Sequence, residues 1–206
     1  MKGKAVGTGS PGSISDFIIR EIFKRHGLDP LRDATFLGIG GSRERFAALT
    51  SGAVHATFLS PPLNFKAIEM GYRKLASANE YVTWPQTGFG TTDEKVLRDP
   101  ENVYKVVRAS LKGLRFFLTQ REYVLSKMMQ MFRLSPDEAI QSYEALREES
   151  GPAGYLTDEV QRVAISLIKQ AANITEDISV ERVFDNRFVK QAEQDLKGWR
   201  PQIPRQ

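Results

Sequence analysis

The chain has 206 residues, of which 41% are hydrophobic and 26% charged, with a net charge of +4 at neutral pH. This is the composition of a globular protein able to bury a sizeable core, in one domain or two small lobes, and not that of a disordered segment. With no cysteine and only His26 and His55 as histidines, it excludes disulfides, thiol catalysis, iron–sulfur clusters, cysteine-ligated zinc and His-rich metal spacing.

Lys4-Ala5-Val6 reads as a first strand running into the glycine loop Gly7-Thr8-Gly9-Ser10-Pro11-Gly12. Ser13 to Arg25 is helical by the spacing of Ile14, Phe17, Ile18, Ile22 and Phe23, and Gly27 is placed to stop it. After the Asp29-Pro30 turn, Thr35 to Ile39 reads as a second strand. Gly40-Gly41-Ser42 then caps a short helix carrying Phe46, Ala47 and Leu49. Val54 to Leu59 is a third strand ending at Ser60-Pro61-Pro62. Units this short imply a parallel sheet with right-handed crossovers. A helix over Leu63 to Met70 and a short strand near Lys74 to Ala76 complete the α/β part.

Tyr81 to Thr92, rich in Gly, Thr, Trp and Pro, reads as an extended segment crossing between two bodies. Beyond Pro100 the pattern is almost wholly helical. Val103, Val106, Val107, Leu111, Leu114 and Leu118 form one apolar stripe, and Tyr123 to Phe132 continues the helical pattern. Ser135-Pro136-Asp137-Glu138 has the chemistry of a helix start, and Ser150-Gly151-Pro152 that of a break. Leu156, Val160, Val163, Leu167 and Ile168 make a further stripe, Asn186 to Leu196 a last helix, and Pro201 to Gln206 a frayed tail. No apolar run reaches membrane-spanning length. Basic residues such as Arg43, Arg45, Lys112 and Arg115 are scattered among acids without interleaved aromatics. That is the pattern of solvated helix faces and not of a nucleic-acid surface.

The glycine loop satisfies G-x-G-x-x-G, the dinucleotide-binding spacing, but that reading also requires an acid at the end of the second strand to hold a ribose. The strand ends Leu37-Gly38-Ile39-Gly40-Gly41, and the nearest acids, Asp29 and Asp33, precede it. NAD, NADP and FAD are therefore not expected, a Walker loop is excluded for want of Gly-Lys-Ser/Thr, and no cofactor or metal is expected. What remains is a helix N-terminus, whose first backbone N–H groups lack intrahelical partners and favour an anion or polar ring edge. Ser10, Ser13 and Ser15 add hydroxyls around it. The other two strand ends, Gly40 to Ser42 and Ser60 to Pro62, are also small and polar, so three loops form one rim beyond the strands' carboxyl ends. Thr8, Ser10, Gly12, Ser13, Gly41, Ser42 and Ser60 are the candidate ligand contacts. Arg43 and Arg45 are candidate cations beside the rim, each reading more readily as part of a solvated helix face; His55 reads as a packed or surface strand residue.

The runs GKAVGTGSPGSISDFIIREIFKRHGLDP and GGSRERFAALTSGAVHATFLSPP, with TGFGTTDEKVLRDPENVYKVVRASLKGLRFF and, more weakly, YLTDEVQRVAISLI and the Phe184-Asp185 region, resemble the NMT1/THI5-like periplasmic substrate-binding proteins of ABC importers, which include sulfonate, taurine and nitrate binders of the SsuA and TauA type. The resemblance implies a type II binding-protein fold: an α/β lobe over residues 1–82, then a crossing segment and a mainly helical part of the other lobe over 83–206. It implies a non-enzymatic, periplasmic solute-binding component that holds a small anionic or heterocyclic ligand (sulfonate, nitrate, carboxylate or heterocycle) in an interlobe cleft and delivers it to an ABC permease. Two alternatives share the scaffold: a THI5-like pyrimidine-synthase-type enzyme, disfavoured because that group's cysteine-rich iron site is missing, and a degenerate remnant without ligand. The family usually carries Asp where this chain has His55. The first half-lobe and export signal of the resembling proteins have no counterpart here, so Met1 is expected to be an internal start, and the partly uncovered helical stripes are expected to self-associate.

Overall fold

A computed structural model of the chain describes residues 1–81, 88–150, 155–172 and 174–203. The chain forms two units, Met1–Trp84 with Leu167–Thr175, and Pro85–Ser166 with Glu176–Gln206.

In the first unit β1 (Lys4–Thr8) is the central strand of a parallel sheet ordered β2-β1-β3, with β2 (Ala34–Gly38) and β3 (Ala56–Thr57) at its flanks. Val6 is in register with Phe36 on one side and Ala56 on the other. Successive residues of a strand face opposite sides of a sheet, and β1 uses both. Val6 packs with Ile19 and Phe23 of α1 (Ile14–Arg25) and with Leu28, Phe36 and Phe58. Ala5 packs on the other face, against Leu49 of α2 (Ser42–Thr50), Ala67 of α3 (Leu63–Glu69), Val54 and Ile39. The connections from β1 to β2 and from β2 to β3 run in opposite directions across the sheet, which is why right-handed crossovers place the helices on both faces.

The third strand is shorter than the expected span of Val54 to Leu59. Side chains take carbonyls where a ladder would otherwise continue: Thr57 Oγ1 donates to Gly7 O of β1 at 2.8 Å, and Arg45 Nε donates to Phe58 O, just past β3, at 2.9 Å. His55 precedes the strand and is exposed; its Nδ1 accepts the Ala5 N–H at 3.3 Å while its own N–H donates to Ala5 O at 2.9 Å. A carboxylate at this position could accept the same N–H, so His55 keeps an acceptor where the resembling family carries Asp. The strand expected at Lys74 to Ala76 is not formed. With β3 reduced to two residues, its outer edge has too little length to pair with a fourth strand. A short 3-10 turn, Ala78–Glu80, follows.

The second unit is helical. Helix α4 (Asp93–Arg98), absent from the sequence reading, starts where Thr92 accepts the Lys95 N–H at 3.2 Å. Asp99 then caps α5 (Pro100–Thr119), whose proline sits in the first turn. Leu111 of α5 is buried with Val189 and Ala192 of α10 (Arg187–Asp195) and with Leu196, and Tyr104, Val107 and Leu114 flank them. Helix α6 (Arg121–Phe132) pairs with α7 (Pro136–Glu149) through Leu125, Met128, Ala139 and Tyr143. The expected start of α7 is a full capping box: Ser135 Oγ accepts the Glu138 N–H and Glu138 Oε2 accepts the Ser135 N–H.

Helix α8 (Asp158–Ala172) departs from its expected stripe. Among its described residues Gln161, Ala164 and Ile165 are buried, whereas Val163 and Ile168 are exposed. The helix is anchored by the Gln161 amide, whose Nε2 donates to Leu156 O at 2.8 Å and whose Oε1 accepts from Asn186 at 3.4 Å, and this turns its face by about one residue relative to an all-apolar stripe. Helix α9 (Val180–Val183) is a single turn. Of the expected crossing segment, 82–87 lie outside the described residues, as do the break at 151–152 and 204–206 of the tail.

Candidate functional site

The chain leaves β1 toward β2 on one side and reaches β3 on the other. The carboxyl ends of β1 and β3 therefore flank a topological switch point, where open parallel sheets bind their ligands. The loops after β1 and β3 carry Ser10 to Ser13 and Ser60, and the loop after β2 carries Gly41 and Ser42.

The β1 loop is held by its own polar groups. Gly9 N–H donates to Ser15 Oγ at 2.9 Å, Ser13 N–H to Ser10 O at 2.9 Å, and Gly12 N–H to Asp16 Oδ2 at 3.1 Å. Gly12 has φ +78°, a conformation that other residues adopt only with strain. Ser13 is the N-cap of α1: its Oγ accepts the Asp16 N–H at 3.4 Å and lies 3.2 Å from Ser15 Oγ. Asp16, buried, is also bound by Arg20 Nε at 3.0 Å, and the Arg20 guanidinium rests 4.3 Å above the Phe36 ring. The backbone N–H groups of Ile14 and Ser15 make no hydrogen bond among the described residues. They are the donors left at this helix end.

The candidate contacts divide by position. Ser10 and Gly12 are exposed, and Ser13 and Ser60 half-buried. Thr8 is buried, and its hydroxyl is shared between Gly9 O at 3.1 Å and Leu37 O at 3.4 Å, so it braces the loop from beneath. Gly41 is the exposed N-cap of α2, and Ser42, the first residue of that helix, accepts Arg45 Nη2 at 3.1 Å. Ser60 O accepts the Leu63 and Asn64 N–H groups at 3.0 and 3.3 Å.

Arg45 also differs from its expected solvated face. It is 6% exposed, and its guanidinium donates to Phe58 O, Gly40 O and Ser42 Oγ, reaching the loops after both β2 and β3. Burial pulls its pKa below the ordinary value. Arg43 is exposed.

Residues 1–125 match the NMT1-like family. This chain belongs to that family. No curated protein matches the sequence. Among solved structures, the alkanesulfonate-binding protein SsuA from Xanthomonas axonopodis pv. citri, bound to MOPS, superposes with a TM-score of 0.62 at 19% identity over 93% of this chain and 62% of its own. A protein of Bordetella bronchiseptica RB50 gives 0.61 at 18% identity over 95% of this chain and 65% of its own. A cysteine-to-serine variant of DszB in complex with biphenyl-2-sulfinic acid gives 0.57 at 13% identity over 94% and 71%. The NMT1-like chain thus shares the mixed α/β fold of these proteins and spans 65% or less of the length of two of them.

Two further features bear on what this NMT1-like rim can hold. Asp29 and Asp33 stand at the amino end of β2, tied into a turn in which Asp33 Oδ2 accepts the Asp29 N–H at 2.8 Å, away from the rim. Among the described residues no group of three His, Asp or Glu side chains is arranged to hold a metal ion, and no helix is long and apolar enough to cross a membrane.

Sequence reasoning missed two contributors, Asp16 and Gly38, and of Arg45, a candidate cation, it missed the burial. A Cβ at Gly38 would lie 3.1 Å from Gly9 O, so a side chain at the β2 end would force the β1 loop to shift by a few tenths of an ångström. For Arg45 a signal was present: Arg45 and Leu49 are four residues apart on one helix face, and Leu49 is core.

Proposed function

We propose that this NMT1-like chain carries the ligand-holding wall of a solute-binding component of an ABC-type importer, and that its ligand is a small sulfur oxyanion of the sulfonate class. In this reading residues 1–82 belong to one lobe and 83–206 to the returning part of the other, in a periplasmic protein that closes an interlobe cleft on its ligand and docks on a permease. The observation that carries it is the switch-point rim: uncommitted N–H groups at Ile14 and Ser15 follow the Ser13 cap at the start of α1, and the exposed Ser10 is joined to that cap through its carbonyl. Such an end favours an anion with several acceptor oxygens. Ser42 and Ser60 on the neighbouring loops complete the polar side. Two structures with this fold support the class, since MOPS is a sulfonate and biphenyl-2-sulfinic acid a sulfinate.

Binding in this account is recognition without bond making. Ser and backbone N–H groups present fixed donors, and helix dipoles oriented at the rim add a partial positive charge without a mobile cation. Calorimetric titration of the chain with MOPS, methanesulfonate, nitrate, acetate and NAD is the test. Saturable heat with the sulfonates, and none with NAD, is expected. No saturable binding of either sulfonate, or tighter binding of acetate or NAD, would overturn the reading.

A further inference from the structure

We infer that Arg45 is a positioning residue of this site: its guanidinium fastens the loop after β2 to the loop after β3 and so fixes how Ser42 and Ser60 are presented. The inference rests on the sulfonate-binding reading for its ligand consequences and on geometry alone for its structural ones.

Arg45 lies one turn into α2, on the face that also buries Leu49. From there its planar fork reaches three acceptors on two separate loops: Gly40 O and Ser42 Oγ after β2, and Phe58 O after β3. The loops after β2 and β3 are held apart by the central strand β1. Among the described residues the backbone ladder of β3 pairs it with β1 alone and stops at Thr57. Beyond that point the Phe58 carbonyl is held by Arg45, two residues before Ser60. Its hydrogen-bond partners are all neutral oxygens, and the Glu44 carboxylate acts on it only as a nearby charge. A buried cation of this kind is kept by geometry, because a guanidinium presents five donors in a rigid plane and an ammonium does not. Removing it strips the acceptors on both loops at once.

The test uses the 206-residue chain and three substitutions, Arg45→Met, Arg45→Lys and Ser42→Ala. Amide hydrogen exchange is measured first, without ligand. Arg45→Met is expected to speed exchange of the Leu63 and Asn64 amides, which are bonded to Ser60 O, by about tenfold or more, and to leave the Leu28 amide, which closes α1, unchanged. Arg45→Lys keeps the charge but cannot span the three acceptors and is expected to behave like Arg45→Met. Ser42→Ala, which leaves the core untouched, is expected to give the same regional loosening at smaller amplitude. Affinity for MOPS is then expected to fall about tenfold in both Arg45 variants.

A uniform rise in exchange across the first unit would make Arg45 an ordinary core residue and overturn the inference. So would parental exchange and affinity in Arg45→Lys, which would leave charge and not the fork as the cause. If either Arg45 variant fails to fold, Ser42→Ala decides: unchanged exchange at Leu63 and Asn64 counts against the inference. If the parent does not bind MOPS, the functional reading falls, and the exchange data alone judge Arg45.

Discussion

The Gly12 backbone N–H donates to Oδ2 of Asp16 at 3.1 Å, so a carboxylate from α1 itself occupies one anion position at the start of that helix. Asp16 is buried and balanced by Arg20. The glycine loop is thereby locked in one conformation before any ligand arrives, and an incoming anion is left the Ile14 and Ser15 donors. Asp16→Ala is expected to destabilise the chain by about 1–3 kcal/mol, because it leaves the Gly12 N–H and the Arg20 guanidinium without their acceptor. Urea unfolding measures this, and a midpoint equal to the parent's would show that the loop is held by something else.

Gly38 marks a second constraint on the same loop. A methyl group there meets a backbone carbonyl, Gly9 O, at 3.1 Å, and a backbone atom cannot swing aside as a side chain can. Gly38→Ala is expected to cost about 1–3 kcal/mol of stability, and Gly38→Val more, with MOPS affinity falling in parallel as the β1 loop is pushed off the β2 end. Neutral stability together with parental MOPS affinity would contradict the close approach.

Much of this unit was legible from local chemistry. The helix start at Ser13, the 3.6-residue spacing through Phe23 and the glycine-led start of α2 each depend on neighbours within one or two turns, and each is found. The short β3 was not legible, because its end is set by Arg45, thirteen residues away in sequence, taking the Phe58 carbonyl. The strand near Lys74 failed for the related reason that a strand needs a partner edge, which a local pattern does not reveal. The same limit hid the site's supports. Asp16 and Arg45 sit among charges that read as solvent-facing, and only the fold shows that both turn inward. On α8 the apolar pattern misled because Gln161, polar but hydrogen-bonded through both amide atoms, is fully buried.

In the second unit Asp99 joins α4 to α5. Hydrogen bonds from Lys95 and then Asn102 lower its pKa to about 2. Its folded value lies below the unfolded one of about 3.9, so its contribution is fully present above the ordinary carboxylate range and is lost as pH falls toward 2. The amide of Asn102, which donates to Asp99 Oδ1 at 3.3 Å, is expected to lose its folded chemical shift with a midpoint near pH 2. In Asp99→Asn that transition should vanish. A midpoint near 4 in the parent would contradict the capping assignment.

Arg133 ends α6 in the left-handed conformation, with φ 56° and ψ 46°, and makes no ion pair among the described residues. This conformation suits glycine and burdens a residue with a Cβ. Arg133→Gly is therefore expected to stabilise the chain by about 1 kcal/mol, read as a higher urea midpoint with an unchanged slope. A lower midpoint would mean that the arginine makes a compensating contact.

The central claim is that the carboxyl-end rim of the β2-β1-β3 sheet holds a sulfonate. Titrating an amide-labelled chain with MOPS and following each backbone resonance tests it most directly. The account predicts saturable shifts concentrated at Ser10, Ile14 and Ser15 and at Ser42 and Ser60, with the helices from α5 to α7 unmoved. Saturable shifts confined to those helices, or no saturable shift anywhere, would contradict it.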